Sequence, residues 1–176
     1  GKTMVDLMRL RKHIVENVPD AVVYPKNRED IIALVKYCCE QKIPMYVYGG
    51  GSSVTRGVEA VKGGITLDMR KNFNKVISFS EHNQTITVEA GMSGPKLEET
   101  LNNAVSTLGA TRAYTCGHFP QSFEYSSVGG WAVTRGAGQN SSYYGKIEDI
   151  VISQEYVTPV GIIKSDEFPR NATGPS

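Results

Sequence analysis

Glycine is concentrated in this sequence where hydrophobic periodicity stops. Most of the 18 glycines fall in two stretches, Gly49–Gly64 and Gly129–Gly145. The first follows Met45–Tyr48, four residues of strand character, and reads YGGGSSVTRG from Tyr48 to Gly57. Three residues without a β-carbon permit positive φ and let consecutive main-chain N–H groups converge on an anion, while Ser52, Ser53 and Thr55 add hydroxyl donors. Such a nest suits a diphosphate. A tight loop without a ligand is the alternative reading, at an entropic cost that a plain turn does not carry. Two familiar phosphate loops do not fit. No lysine followed by Ser or Thr closes the stretch, and Val54 stands where a dinucleotide fingerprint needs its third glycine. Asp68 lies where that fingerprint places its ribose-binding carboxylate, but the glycine pattern that would support the role is missing.

The surrounding pattern is α+β. Met4, Leu7, Met8, Leu10, Ile14 and Val15 recur at helical spacing and predict an amphipathic helix over Met4–Asn17, packed on the body of the protein or on a partner or membrane surface. Ala21–Tyr24 reads as a strand, Arg28–Gln41 as a helix capped by Asn27, and Met45–Tyr48 as a second strand, a βαβ pattern to which Ile65–Met69 adds a third strand. From Lys75 the character changes. Val76–Ser80 and Thr85–Ala90 read as a hairpin, a helix opens at Ser93-Gly94-Pro95 and runs to about Val105, and a strand over Ile150–Thr158 turns back into Gly161–Ile163. The expected organisation is an N-terminal helix in residues 1–20, one lobe in 21–70, a second in 71–168, and a tail in 169–176.

The run from His118 to Val151, HFPQSFEYSSVGGWAVTRGAGQNSSYYGKIEDIV, is the most specific in the chain. Ser126 and Ser127 can cap a helix beginning near Val128, turning its N-terminal amides toward an anion. Gly129 and Gly130 would let that backbone press on a flat ring or a diphosphate. Gly136 and Gly138 end the helix. Arg56 and Arg135 either offset diphosphate charge or are solvated surface cations, and Trp131 belongs to the core or stacks on a ring.

The segments YGGGSSVT, PQSFEYSSVGGWAVTRGAG and YYGKIEDIV, in this order and spacing, resemble the FAD-binding domain of the alkylglycerone-phosphate synthase (alkyl-dihydroxyacetone-phosphate synthase) family and of similar bacterial flavoproteins. These belong to the vanillyl-alcohol-oxidase, or PCMH-type, FAD-binding superfamily. The resemblance covers about Met4 to Ser176. It implies a PCMH-type fold of two α/β subdomains, a small βαβ lobe and a larger lobe with a mixed or antiparallel sheet. It also implies that Tyr48, Gly49, Gly50, Gly51, Ser52, Ser53 and Val54 wrap the FAD diphosphate. Gln121, Ser122, Phe123, Glu124, Tyr125, Ser126 and Ser127 would line the flavin side together with Gly129 and Gly130, and Thr134, Arg135, Gly136 and Ala137 would add further contacts. His118, matched by a histidine in the family, is the candidate catalytic residue; a loop histidine bonded to backbone is the competing reading.

No histidine stands in the first glycine turn, where some members of the superfamily attach flavin, so the expected FAD is non-covalent. Gly136 and Ala137 replace larger residues of the animal enzymes. The family pattern continues past a GP dipeptide, as at Gly174-Pro175, into another flavin-contacting segment and a substrate domain. The expectation is therefore a fragment that holds FAD and does not turn over alone. The whole enzyme would exchange the acyl chain of acyl-dihydroxyacetone phosphate for a fatty alcohol in ether-lipid synthesis. The alternatives are an FAD-linked 2-hydroxyacid dehydrogenase or oxidase of lactate or glycolate type and, from another class, a non-catalytic anion- or nucleotide-binding module.

Composition narrows the partners. With 19 Lys+Arg against 18 Asp+Glu the net charge is +1, which argues against a nucleic-acid ligand. No apolar run is long enough to span a bilayer and the charged start does not read as a signal peptide, so a soluble chain is expected. Three cysteines in no zinc or redox spacing point to a reducing compartment, and His13, His82 and His118 share no metal spacing. The small-molecule substrate would be handled by the C-terminal domain. Peripheral membrane contact and a homodimer are compatible with the sequence, and so are a cytoplasmic setting for a bacterial protein and a peroxisomal one for a eukaryotic protein.

Overall fold

The structure, a computed structural model, describes residues 3–165; the tail expected over 169–176, including Gly174-Pro175, lies outside the described residues. In chain order the elements are α1 (Met4–Arg11), β1 (Ala21–Val23), α2 (Arg28–Glu40), β2 (Met45–Tyr48), β3 (Ile65–Asp68), β4 (Val76–Ser80), β5 (Thr85–Val88), α3 (Gly94–Asn102), α4 (Ala104–Thr107), α5 (Val128–Thr134), α6 (Ser141–Tyr144), α7 (Ile147–Ile150), β6 (Glu155–Thr158) and β7 (Gly161–Lys164).

The first lobe is built as the βαβ pattern predicts. The Asn27 side chain accepts from Asp30 N at 2.8 Å and starts α2, whose Ile31 and Val35 pack with Leu67 of β3 into one core. Strands β1, β3 and β2 lie side by side in that order, all parallel, with Tyr48 opposite Asp68. Neighbouring parallel strands need a long crossover. Between β2 and β3 that crossover is the glycine stretch itself, residues 49–64, which contains no helix. The turn Gly49–Gly51 thus leaves the carboxyl end of a parallel sheet, where α/β folds hold ligands.

The second lobe gathers around Met92, Leu97, Leu101, Trp131 and Ile147. The antiparallel strands expected here form two separate hairpins among the described residues, β4–β5 and β6–β7. Hairpin β6–β7 reaches back to the first lobe, where Val157 packs on the α2–β3 core and Glu155 Oε1 meets Arg28 Nε at 2.6 Å. The lobes also meet at Gly91, where a Cβ would stand 2.5 Å from Phe73 O and 2.7 Å from Met69 C.

Three expected elements change. Helix α1 stops at Arg11 because His13 takes a left-handed φ of 56°, and none of its residues is buried. Rather than packing its apolar side on the body, α1 is tied by Asp6 to Arg56 and by Arg9 to Glu59. The helix opened by Ser93 breaks at Asn103, whose side chain bonds to Glu99 O, and resumes as α4. The strand expected over Ile150–Thr158 begins only at Glu155, since Asp149 accepts from Lys146 N at 2.9 Å and winds Ile147–Ile150 into a helical turn. Among the described residues no helix is long and apolar enough to cross a membrane, and no group of His, Cys, Asp or Glu could hold a metal ion.

Candidate functional site

The two glycine-rich stretches touch. A Cβ on Gly50 would stand 2.6 Å from Ser126 Cα and still closer to Tyr125 O, and one on Gly49 would run into the Ser127 hydroxyl. Only a turn without side chains can lie this close to residues 125–127. At Gly51 the backbone takes a φ of 68°, and the Tyr48 ring fills the place of a Cβ, with its Cζ 2.6 Å away. That ring is covered in turn by the Arg70 guanidinium, 4.7 Å from its centroid. Arg70 is held by Asp68, through Nη2–Oδ2 at 2.6 Å and Nε–Oδ1 at 3.1 Å. Asp68 is thus committed to an arginine beneath the turn rather than standing free for a ribose. Its charge also raises the Arg70 pKa, chiefly through the hydrogen bond. Among the described residues, no hydrogen bond uses the main-chain N–H of Gly50, Gly51 or Ser52, although Gly50 and Gly51 are buried. Buried N–H groups are nearly always paired in folded proteins, so the donors of the two buried glycines call for an acceptor.

The second stretch is arranged differently from its expectation. Ser127 caps α5 by accepting from Gly130 N at 3.4 Å. The remaining N-terminal amides do not face an anion. Val128 N donates to Met92 O at 2.8 Å and Gly129 N to Ala90 O at 2.9 Å, so the start of α5 is docked on the turn between β5 and α3. Gly129 is needed for that docking, because a Cβ there would stand 2.7 Å from the Ala90 Cβ. Ser126 Oγ accepts from the Trp131 indole N–H at 2.6 Å, and Trp131 is a core residue, 3% exposed. Phe123 also turns inward, tilted against Phe119 and stacked with Trp131 at 6.2 Å. Gln121, Glu124 and Tyr125 are exposed on the helical turn that the Ser122 carbonyl closes by accepting from Tyr125 N and Ser126 N. Val54 points to solvent, and Ser53 shares a hydroxyl bond with Thr55.

Thr134, Arg135, Gly136 and Ala137 lie at the far end of α5, about 10 Å along the axis from Ser127 at 1.5 Å per residue. Thr134 bonds back to Gly130 O, and Arg135, left-handed at φ 52°, pairs with Glu148 on the surface. Arg56 is likewise engaged, by Asp6 and Glu59. Neither arginine stands beside the glycine turn as a free counter-charge. Gly136 is instead a neighbour of His118, 3.8 Å from Nε2 to an ideal Cβ, and a Cβ on Gly138 would lie 3.3 Å from Nδ1. The His118 ring is fully buried, meets Trp131 edge-on at 4.9 Å, and has no hydrogen-bond partner for either nitrogen among the described residues. It is not the backbone-bonded loop histidine of the competing reading. Burial lowers its pKa below the usual 6.5, so the ring is neutral at pH 7.

Sequence reasoning passed over Glu98. It lies on the buried face of α3, accepting from Thr115 Oγ1 at 3.0 and 2.9 Å and from Cys116 N at 2.7 Å. Its position one residue after the core Leu97 was the only signal of burial, and nothing local showed what would bond to it.

The chain is similar to known proteins over nearly its whole length. Alkyldihydroxyacetonephosphate synthase of Caenorhabditis elegans is 34% identical over 180 residues, which cover 99% of this chain and 29% of that protein. The mitochondrial D-lactate dehydrogenase (cytochrome) of Arabidopsis thaliana is 31% identical over 162 residues, covering 91% of this chain and 26% of the relative. A solved alkyldihydroxyacetonephosphate synthase superposes with a TM-score of 0.84 at 33% identity, covering 97% of this chain and 30% of the other. The chain therefore spans less than a third of the length of these relatives. Residues 19–166, which include both glycine stretches and every candidate site residue, match the family described as FAD binding domain, and the chain belongs to that family.

Proposed function

We propose that this chain is the cofactor-holding part of a flavoenzyme, and that it binds FAD non-covalently along the rim formed where the Gly49–Ser52 turn packs on the Tyr125–Ser127 segment. The observation that carries the reading is the side-chain-free Gly49–Gly51 turn pressed on residues 125–127, with the N–H groups of Gly50, Gly51 and Ser52 unused among the described residues. A diphosphate supplies acceptors for such donors at little desolvation cost to a site already closed on one side. Thr134–Ala137 would meet the flavin end, at the other end of α5, with His118 buried directly beneath Gly136 and Gly138. When bound, FAD supplies the difficult chemistry, and the protein contributes binding, orientation and the exclusion of water. Here Trp131 and Phe123 form the dry wall behind His118. Among the described residues neither imidazole nitrogen has a partner, so that in its neutral form the ring can hold or pass one proton at Nε2 or Nδ1.

The likeness to alkyldihydroxyacetonephosphate synthase over nearly the whole chain supports a transferase of that kind for the complete protein, exchanging an acyl chain for a fatty alcohol on dihydroxyacetone phosphate. The fragment, with less than a third of the relatives' length, would not turn over alone. FAD titrated into the 176-residue chain should lose fluorescence on binding and return fully to the supernatant after acid precipitation. Flavin that stays with the precipitate would overturn the non-covalent reading, and no binding at all would overturn the cofactor site. For the complete protein, ether product from acyl-dihydroxyacetone phosphate and a long-chain alcohol supports the transferase. Bleaching of the flavin by a 2-hydroxyacid without ether product supports the dehydrogenase instead.

A further inference from the structure

We infer that Glu98 is a positioning residue: through Thr115 and Cys116 it fixes the loop that seats His118 against Trp131 and the 136–138 stretch. Glu98 is 7% exposed on a helix face otherwise occupied by Gly94, Leu97 and Leu101. A carboxylate in such a place is costly to bury unless a cation pairs with it. No Lys, Arg or His pairs with Glu98 among the described residues. Its bonds there come from neutral donors, and these belong to two consecutive loop residues, Thr115 and Cys116. An apolar side chain would pack on α3 at lower cost but would leave that loop without an anchor.

The anchor matters because the loop leads directly to His118. The Thr115 hydroxyl donates to Glu98 and accepts from Gly117 N at 3.2 Å, so the carboxylate's hold reaches one residue further. Gly117 then takes a φ of 77°, with the Tyr144 ring where a Cβ would be, and the chain passes from exposed Thr115 to fully buried His118 in three residues. Among the described residues nothing hydrogen-bonds the His118 ring, which is placed by packing and by the backbone before it. Burial accounts for the low His118 pKa, whereas the Glu98 charge acts on Cys116, whose thiol is pushed up to about 11 by burial first and by that carboxylate second. Glu98 therefore works on the histidine by geometry rather than by charge.

Trp131 is the sole tryptophan, so its emission reports directly on the His118 contact. In the 176-residue chain, E98A should shift that emission to the red, toward the value of H118A, with far-UV circular dichroism retained. E98Q keeps an acceptor for Cys116 N and should stay close to the parent. T115V, at an exposed position, removes the hydroxyl that links Glu98 to Gly117 N but leaves the Glu98–Cys116 bond, and should move the emission part of the way; it decides the matter if E98A does not fold. The consequence for the cofactor rests on the FAD reading: affinity should fall about tenfold in E98A and less than about twofold in E98Q, as expected for the loss of one or two hydrogen bonds to a charged group. A folded E98A, or in its place T115V, with parent-like Trp131 emission overturns the inference, as does E98Q behaving like E98A. A parent chain that binds no FAD sinks the cofactor reading but leaves the Trp131 comparison decisive for Glu98.

Discussion

Gly50 and Gly57 belong to the same glycine-rich stretch and should respond oppositely to a methyl group. At Gly50 the added Cβ meets the main chain of Tyr125 and Ser126, which cannot rotate away, whereas at Gly57 nothing lies within 4 Å and φ is not left-handed. Overpacking of this kind costs about 1–3 kcal/mol. G50A should therefore lower the melting temperature by about 3–10 °C, from the usual scaling for a chain of this size, and abolish FAD binding. G57A should be neutral or slightly stabilising, because it reduces only the freedom of the unfolded chain. Equal effects of the two on thermal melting and FAD titration would show that close approach is not what the turn is for. His118 makes a second test at this scale. Its folded pKa is depressed by burial, so below about pH 6.5 the unfolded chain takes up a proton that the folded chain refuses. Stability contributed by the neutral ring is complete above about pH 6.5 and is lost as pH falls, by at most about 1.4 kcal/mol per unit until the folded pKa is reached. Urea melts at about pH 7.5 and about pH 5.5, on either side of the unfolded value, should show the parent losing more stability than H118F over that interval. An identical loss would mean that the imidazole is protonated in the folded protein.

Among the elements, those whose order was legible from sequence are the ones that local chemistry specifies. Asn27 caps α2, Ile31 and Val35 repeat on one face of it, and Met45–Tyr48 runs into glycine, so helix, strand and turn fall where the pattern puts them. The elements that departed from expectation are set by distant partners. The apolar residues of α1 read as a buried face, yet Met4, Leu7, Met8 and Leu10 are all more than half exposed, and the helix is held by Arg56 and Glu59 through ion pairs that hydrophobic periodicity cannot reveal. The start of α5 carried a correct signal, Ser127, for the cap but none for the acceptors of its amides. Those acceptors, Ala90 O and Met92 O, lie in a turn nearly forty residues earlier and are main-chain atoms that any sequence would supply. Within the candidate site the same division holds. The Gly49–Gly51 turn was legible because glycine is required there for close approach. Glu98 was not, because the Thr115 and Cys116 groups that satisfy it become its neighbours only when the second lobe closes.

At the scale of the molecule there are two cores, one around Ile31, Val35 and Leu67 and one around Met92, Leu97, Leu101, Trp131 and Ile147. Among the described residues they are joined by the glycine turn on residues 125–127, by Gly91 on Met69 and Phe73, and by the β6–β7 hairpin returning to α2. The change of periodicity near Lys75 announced the two lobes, but the return of the hairpin depends on Val157 and Glu155 finding α2 across the whole chain. Cooperativity between the two cores should depend on these junctions. A Cβ at Gly91 pushes directly on the Phe73 carbonyl and the Met69 backbone, so G91A should loosen the lobes from one another while leaving both cores intact. In urea, the parent should unfold with Trp131 fluorescence, which reports the second lobe, coincident with far-UV circular dichroism, which reports both. In G91A the two transitions should separate. A ligand bound across the junction opposes that separation, since FAD at about a hundred times its Kd favours the joined state by about 2.7 kcal/mol. Saturating FAD should therefore bring the G91A transitions back together, and free phosphate, which can occupy only the glycine turn, should not. Coincident transitions in unliganded G91A would mean that the lobes are one cooperative unit without that junction, and separate transitions that persist in FAD would place the cofactor on one lobe rather than between two.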